Sequence, residues 1–207
     1  MLDAQCSMLF SMNARRAHKN RATRETTIDI ELALDGSGQA EIETGIGFFD
    51  HMLDLLARHA RWDLKIRAKG DLTVDFHHTV EDTGIVLGQA LQTALGTKIG
   101  IQRFGWALLP MDECLAQIAI DLSGRPFLAY DVPSGSAKIG EFDFELVGEF
   151  FRAFAMNAGL NLHATIVRGG NLHHQAEALF KGLAQALRQA CAVDPTDATV
   201  PSTKGIL

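Results

Sequence analysis

Three cysteines, Cys6, Cys114 and Cys191, are scattered over 207 residues without a C-x-x-C pair. That scarcity speaks against a disulfide framework and a thiolate metal site, and it suits a reducing cytoplasm. One tyrosine and two tryptophans give no row of stacking aromatics, and a formal net charge of -6 leaves no general attraction to polyanions. Neither nucleic acid nor an anionic membrane surface is therefore expected as a partner, and a small molecule is. No apolar run approaches the roughly 18 residues that a membrane-spanning helix needs. Met1 to Arg24 is short of apolar residues and carries Arg15, Arg16, His18, Lys19, Arg21 and Arg24. It lacks the basic-then-apolar order of a secretory signal, with an organelle transit peptide as the weaker alternative. Residues 1–20 are read as a mobile extension. What the chain does have is 47% hydrophobic content, enough to bury a core without staples.

Histidine is also sparse, which makes its placement informative. Of eight histidines, four stand in two pairs, His77-His78-Thr79-Val80-Glu81 and His173-His174-Gln175-Ala176-Glu177. If each pair opens a helix, His77 and Glu81 are at i and i+4 and His78 and Glu81 at i and i+3, so all three converge on one side. The same holds for His173, His174 and Glu177. Neutral imidazole and carboxylate are natural ligands of a divalent transition metal. A single pair could arise by chance or cap a helix, but the repetition makes coincidence the poorer account.

The surrounding pattern repeats as well. Thr26 to Leu34 alternates, and Asp35-Gly36-Ser37-Gly38 then signals a hairpin into a strand at Ala40 to Glu43. A helix over Phe48 to His59, a strand from Trp62 to Ala68 and a helix from His78 to a glycine stop at Gly96 follow. The second half shows strands near Ala107 to Leu109, Cys114 to Leu122 and Phe127 to Tyr130. A helix over Glu145 to Asn157, a strand over Leu160 to Val167 and a helix over His174 to Cys191 complete it. Each half reads as strand, strand, helix, strand, helix, over residues 21–100 and 101–207. His51 lies 26 residues before His77 and Glu149 lies 24 before His173, so these two are repeat mates. The expected fold is α+β: duplicated units of mostly antiparallel sheet with helices on one face, related by a pseudo-twofold. Lys69-Gly70-Asp71 and Gly169-Gly170-Asn171 are equivalent turns that deliver each pair to a helix mouth. The partial positive charge there favours neutral imidazole.

The strings Gly47-Phe48-Phe49-Asp50-His51-Met52-Leu53-Asp54, His77-His78-Thr79-Val80-Glu81-Asp82, Arg103-Phe104-Gly105, Leu122-Ser123-Gly124-Arg125-Pro126 and Pro201-Ser202-Thr203-Lys204-Gly205 occur in order. With the repeat, they make the chain from about Arg24 to Lys204 resemble the imidazoleglycerol-phosphate dehydratases of histidine biosynthesis. The resemblance implies a ribosomal protein S5 domain 2-like fold and a cytoplasmic hydro-lyase with two Mn2+ per active site. It also implies a 24-subunit homo-oligomeric shell whose active sites are lined by neighbouring subunits. Carried over by motif, the metal ligands are His51, His77, His78, Glu81, His173, His174 and Glu177. Phosphate and substrate contacts fall on His59, Arg103, Arg125, Lys181, Ser202 and Lys204, and the catalytic carboxylates on Glu25 and Glu177. Histidine stands in some members where this chain has Glu149, which is either a ligand or a solvated helix residue. Asp112 either orients a neighbouring group or is an ordinary turn carboxylate. His163 reads as structural or as a neighbour of the site, and His59 could equally satisfy a helix-end carbonyl.

The implied substrate, imidazole glycerol phosphate, has no carbonyl to acidify the carbon-bound proton that must leave. The ring has to supply electrons instead: bound through both nitrogens by two metals, it would become imidazolate and expel the adjacent hydroxyl through a diazafulvene-like intermediate. Two rival readings remain from the residues alone: a closed metal-binding module without catalysis, and a two-metal phosphoester hydrolase.

Overall fold

The computed structural model describes residues 15–133 and 137–207. Residues 1–14 of the expected extension lie outside them.

Alternating side chains make Thr26–Ala33 a strand, β2, with Ile28, Ile30 and Leu32 buried and Thr27 and Glu31 exposed. Before it comes β1 (Arg16–Ala22), and after it β3 (Ala40–Glu43), helix α1 (Gly47–Ala60), β4 (Asp63–Gly70) and helix α2 (His77–Leu95). The second unit runs β5 (Phe104–Met111), β6 (Cys114–Asp121), β7 (Phe127–Asp131), a small ribbon of β8 (Lys138–Ile139) and β9 (Phe142–Asp143), α3 (Glu145–Ala158), β10 (Asn161–Arg168) and α4 (Leu172–Ala190). The two four-stranded sheets have orders β1-β2-β4-β3 and β5-β6-β10-β7. These are the same topology, which is the duplication expected from the repeated motif. In each sheet two pairings are antiparallel and one, β3 with β4 or β7 with β10, is parallel across a helical crossover.

Three expectations need correction. Arg16 to Asn20, counted with the mobile extension, belong to β1 and pair with β2 from Ala33 to Asp29. This edge strand buries only Ala17, so the alternation that betrays a half-buried strand is missing. The first unit also has three strands before its first helix and the second has five, counting the β8–β9 ribbon, not two. Finally, β2 and β3 do not form a hairpin, because β4 lies between them. The intervening loop wraps the start of β4, where the Asp63 carboxylate accepts hydrogen bonds from the Ser37 and Gln39 backbone N–H groups at 2.8 and 3.1 Å. The turn residues were correctly legible, but the pairing partner is set by the crossover through α1.

The helices form by apolar periodicity. On α1 a stripe of Phe49, Met52, Leu53, Leu56, Ala57 and Ala60 is buried, and α2 stops at Gly96, which takes φ 54°. Helix α1 packs on α4 and α2 on α3, while α2 lies on β1 and β2 and α4 on β5 and β6. The two sheets thus flank a shared helical layer, and one core runs through both units. Phe49, Phe150, Phe151, Phe154 and Phe180 are fully buried at its centre, with the Phe150 and Phe180 rings 5.2 Å apart.

The sheet-to-helix contact is closest at Gly105 of β5. A Cβ there would lie 1.9 Å from the Ala186 carbonyl oxygen and 3.0 Å from the Ala190 nitrogen, both backbone atoms of α4. Backbone cannot rotate away, so Gly105→Ala is expected to cost about 2 to 3 kcal/mol. For a chain of this size that lowers Tm by roughly 5 to 10 °C. Scanning calorimetry checks this, and an unchanged Tm would show that α4 shifts freely on the sheet.

Candidate active site

Both histidine pairs stand at helix mouths. His77 is the first residue of α2, and His173 follows the N-cap of α4, where the Asn171 side chain accepts a hydrogen bond from the His173 N–H at 2.8 Å. The residue after each pair is buried beneath the preceding turn: Thr79 is wholly enclosed and Gln175 nearly so. A Cβ on Gly70 would fall 2.0 Å from Thr79 Oγ1, which explains why the turn before α2 carries glycine.

At the mouth of α4, His173 Nε2 lies 3.0 Å from Glu177 Oε1, and His51 Nε2, brought in by α1, lies 3.2 Å from the same oxygen. The donor atoms of these three residues lie within 4.8 Å of one another. That is about the span of two bonds of ~2.1 Å to a common cation. The donor set, two imidazoles and a carboxylate, is chemically suited to a divalent transition metal. Burial pushes the Glu177 carboxyl up, but hydrogen bonds from Lys181, His51 and His173 outweigh it and hold the group down at about 2. The Lys181 ammonium takes the other oxygen, Oε2, at 2.5 Å, leaving Oε1 to the histidines. His59, further along α1, is pushed below its ordinary value by burial and then by the Lys181 and Arg58 charges.

The mate cluster at α2 is looser. His77 Nε2 and Glu81 Oε2 are 3.9 Å apart, and His78 Nδ1 is 3.0 Å from Asp71 Oδ2. That hydrogen bond raises the His78 pKa, and the nearby Glu25 carboxylate adds to the pull. Glu25 sits in the β1–β2 turn, where its N–H bonds Thr23 Oγ1 at 3.1 Å. Beneath the turn the buried Asp82, next to Glu81, accepts from Arg21 and from Thr26 Oγ1. One buried carboxylate therefore ties the Glu25 turn to α2.

Among the described residues, no hydrogen bond, ion pair or ring contact joins the α2 cluster to the α4 cluster. The expected phosphate residues are divided in the same way. Arg103, Arg125, Ser202 and Lys204 line one cavity of about 430 Å³, whereas Lys181 and His59 accompany Glu177. Arg103 is held in place by Asp121, at 2.7 and 3.1 Å, and by the Pro201 carbonyl at 2.9 Å. His163 lies on the outer face of the second sheet against Phe127, with ring centroids 5.8 Å apart, away from both clusters. Glu149, the mate of His51, has no hydrogen bond or ion pair to the α2 cluster among the described residues. Its charge adds to burial in pushing the Tyr130 hydroxyl up.

Comparison with known proteins decides the family. The model of the family described as imidazoleglycerol-phosphate dehydratase matches residues 44–187, well over half of the chain. The chain belongs to the imidazoleglycerol-phosphate dehydratase family. Relatives of that name from Azorhizobium caulinodans and Gluconacetobacter diazotrophicus are each 60% identical, over 93% and 94% of this chain and 98% of theirs. The crystal structure of the Staphylococcus aureus dehydratase is 41% identical, with a TM-score of 0.79 over 86% of this chain and 99% of that one. The Pyrococcus furiosus structure, determined in complex with (S)-C348, is 38% identical, with a TM-score of 0.79 over 91% and 100%. As a dehydratase the chain is a hydro-lyase, and the duplicated α+β architecture is the one these structures share.

Two residues that contact the paired histidines, Glu113 and Asp71, escaped sequence reasoning. Glu113 bonds His174 Nδ1 at 2.9 Å and the Asn171 N–H at 2.6 Å. Its neighbour Asp112, the residue singled out from the sequence, is 74% exposed and lies 3.8 Å from His174 Nε2. Asp71 was read only as part of a turn. For Asp71 the signal available was a carboxylate in the turn leading to its histidine pair, but Glu113 stands in the β5–β6 turn, 58 residues before Asn171, and no local pattern reports the contact.

Proposed function

We propose that this chain dehydrates imidazole glycerol phosphate to imidazole acetol phosphate in L-histidine biosynthesis, using two Mn2+ per active site. The observation that carries the reading is the convergence of His51, His173 and Glu177, as donors to a common cation, in a chain of this dehydratase family. His77, His78 and Glu81 supply the second group of donors, and His174 adds a further imidazole. When bound, the two cations, held by these residues, would supply Lewis acidity that eases loss of the N–H proton of the substrate ring.

The chain's own residues then have proton work to do. The ring's electron pair expels the hydroxyl from the attached carbon, leaving a diazafulvene-like intermediate, and Glu25 delivers the proton that turns this hydroxyl into water. Glu177 removes the proton from the neighbouring carbon, whose electron pair returns to the ring and gives an enol. Protonation of the enol at the ring-attached carbon with loss of its O–H proton yields the ketone, and the ring nitrogen regains its proton, so that the net change is loss of one water. Arg103, Arg125, Ser202 and Lys204 bind the phosphate with planar and point-charge donors, and Lys181 and His59 approach it from the Glu177 side.

The division of ligands and phosphate donors between two places in one chain supports an active site completed by neighbouring copies, as in a 24-subunit shell. So does the outer face of the second sheet, where Phe104, Trp106, Leu108, Phe127 and Val167 are exposed together. A lone subunit rarely leaves such a surface in water. No helix among the described residues is long and apolar enough to cross a membrane, which is consistent with a cytoplasmic enzyme. Metal-free protein incubated with imidazole glycerol phosphate and Mn2+ should form the ketone. Release of inorganic phosphate without ketone would transfer the site to the phosphoester hydrolase reading.

A further inference from the structure

The two histidines of each pair are held in different ways. The first of each, His77 or His173, turns Nε2 toward the glutamate four residues on, at 3.9 and 3.0 Å, and among the described residues no hydrogen bond reaches its Nδ1. The second is gripped at Nδ1 by a carboxylate from outside its own helix. Asp71 lies 3.0 and 3.3 Å from His78 Nδ1 through its two oxygens, and Glu113 lies 2.9 Å from His174 Nδ1 through Oε2. A carboxylate at Nδ1 keeps the proton there and leaves the Nε2 lone pair facing outward, the form in which imidazole binds a cation.

We infer that Asp71 and Glu113 are positioning residues that fix the tautomer and ring orientation of His78 and His174, and that Glu113 alone requires both of its oxygens to do so. Glu113 Oε1 accepts from the Asn171 N–H at 2.6 Å and from Cys114 Sγ at 3.4 Å, while Oε2 serves His174. Because Asn171 is the N-cap of α4, one carboxylate locks the helix mouth and the ring beside it. Asp71 spends both oxygens on a single ring nitrogen, so one of them is dispensable.

This inference rests on the metal-site reading above and makes the two amide isosteres behave differently. In Asp71→Asn the carbonyl oxygen still accepts from His78 Nδ1–H. Glu113→Gln has one acceptor oxygen for two separate donors. If that oxygen serves Asn171, the amide NH2 faces His174 and selects the opposite tautomer, with Nε2–H turned toward the cation. If it serves His174, the Asn171 N–H meets the NH2 and the hold on the N-cap residue is lost.

The test is Mn2+ titration of the metal-free full-length protein, with free Mn2+ followed by electron paramagnetic resonance, for wild type, Asp71→Asn, Glu113→Gln and Glu113→Ala. Glu113→Gln should lose about 10- to 100-fold in affinity for one of the ions, and at least as much as Glu113→Ala. Truncation leaves the ring to water, whereas the amide opposes the required tautomer. Asp71→Asn should stay within about threefold of wild type. A purely structural role would make Glu113→Ala the worse of the two and would lower the Tm of the metal-free protein in parallel. That order, equal behaviour of the two isosteres, or wild-type affinity in Glu113→Gln would overturn the inference. Wild-type protein that binds no Mn2+ would overturn the metal-site reading itself, and this inference with it.

Discussion

Glu25→Gln lowers turnover by about 10²- to 10⁴-fold, the usual worth of a positioned proton donor or acceptor, and leaves Mn2+ content and assembly unchanged. The expectation follows from where the residue stands. Glu25 is exposed at the tip of the β1–β2 turn, is outside the donor groups that lie together within one chain, His51 with His173 and Glu177 and Asp112 with Glu113 and His174, and acts on His78 only through its charge. The turn is held by its neighbours: Thr23 Oγ1 accepts from the backbone of residues 25 and 26, and Asp82 anchors Arg21 and Thr26 to α2. An amide at position 25 preserves shape and every one of those bonds but can neither take up nor release a proton at neutral pH. Single-turnover rates, metal analysis and gel filtration on the same sample separate the outcomes. A near-normal rate removes Glu25 from the chemistry. A lost rate accompanied by lost metal makes it a ligand instead.

The features legible in the sequence were those written in local order. The repeated His-His-x-x-Glu placed two helix mouths, alternation at Ile28, Ile30 and Leu32 placed β2, and Gly96 placed the end of α2. Repeat spacing paired His51 with Glu149, which occupy matching turns of α1 and α3. What stayed hidden was decided by contacts distant in sequence. The insertion of β4 between β2 and β3 depends on the α1 crossover. Strand β1 carries basic and polar side chains because it is an edge with a single buried residue, so it resembles an unstructured arm. Glu113 and Asp112 are adjacent carboxylates in one tight turn, and only the approach of Asn171 from the far end of the unit makes Glu113 the partner of His174. The separation of the α2 and α4 clusters within one chain could not be read from the residues alone, because a motif that repeats in sequence gives no hint of whether its two copies meet in the same molecule; only the family resemblance implied sites lined by neighbouring subunits.

That division makes the second large prediction. His77→Ala and His173→Ala proteins, each nearly inactive alone, regain about a quarter of wild-type activity when dissociated, mixed in equal amounts and reassembled, provided subunits exchange at random in a symmetric assembly. One variant keeps the α4 cluster of His51, His173 and Glu177, and the other keeps the α2 cluster of His77, His78 and Glu81. If an active site takes one cluster from each of two neighbours, about half of the subunits offer an intact copy on each side, and about a quarter of the sites combine two intact copies. If both clusters of one chain served the same site, every site in the mixture would carry one lesion and activity would stay at the level of the separate variants. Substituting Trp106, at 66% exposure the most exposed aromatic on the second sheet, by glutamate extends the test. A charge on that apolar face opposes its burial, so Trp106→Glu should shift the protein toward smaller species on gel filtration. Activity should fall with the shell, although no donor to metal or phosphate has been touched. A Trp106→Glu protein that dissociates yet turns over normally would place the complete site within one subunit, and it would require α2 and α4 to meet in solution as they do not in this structure.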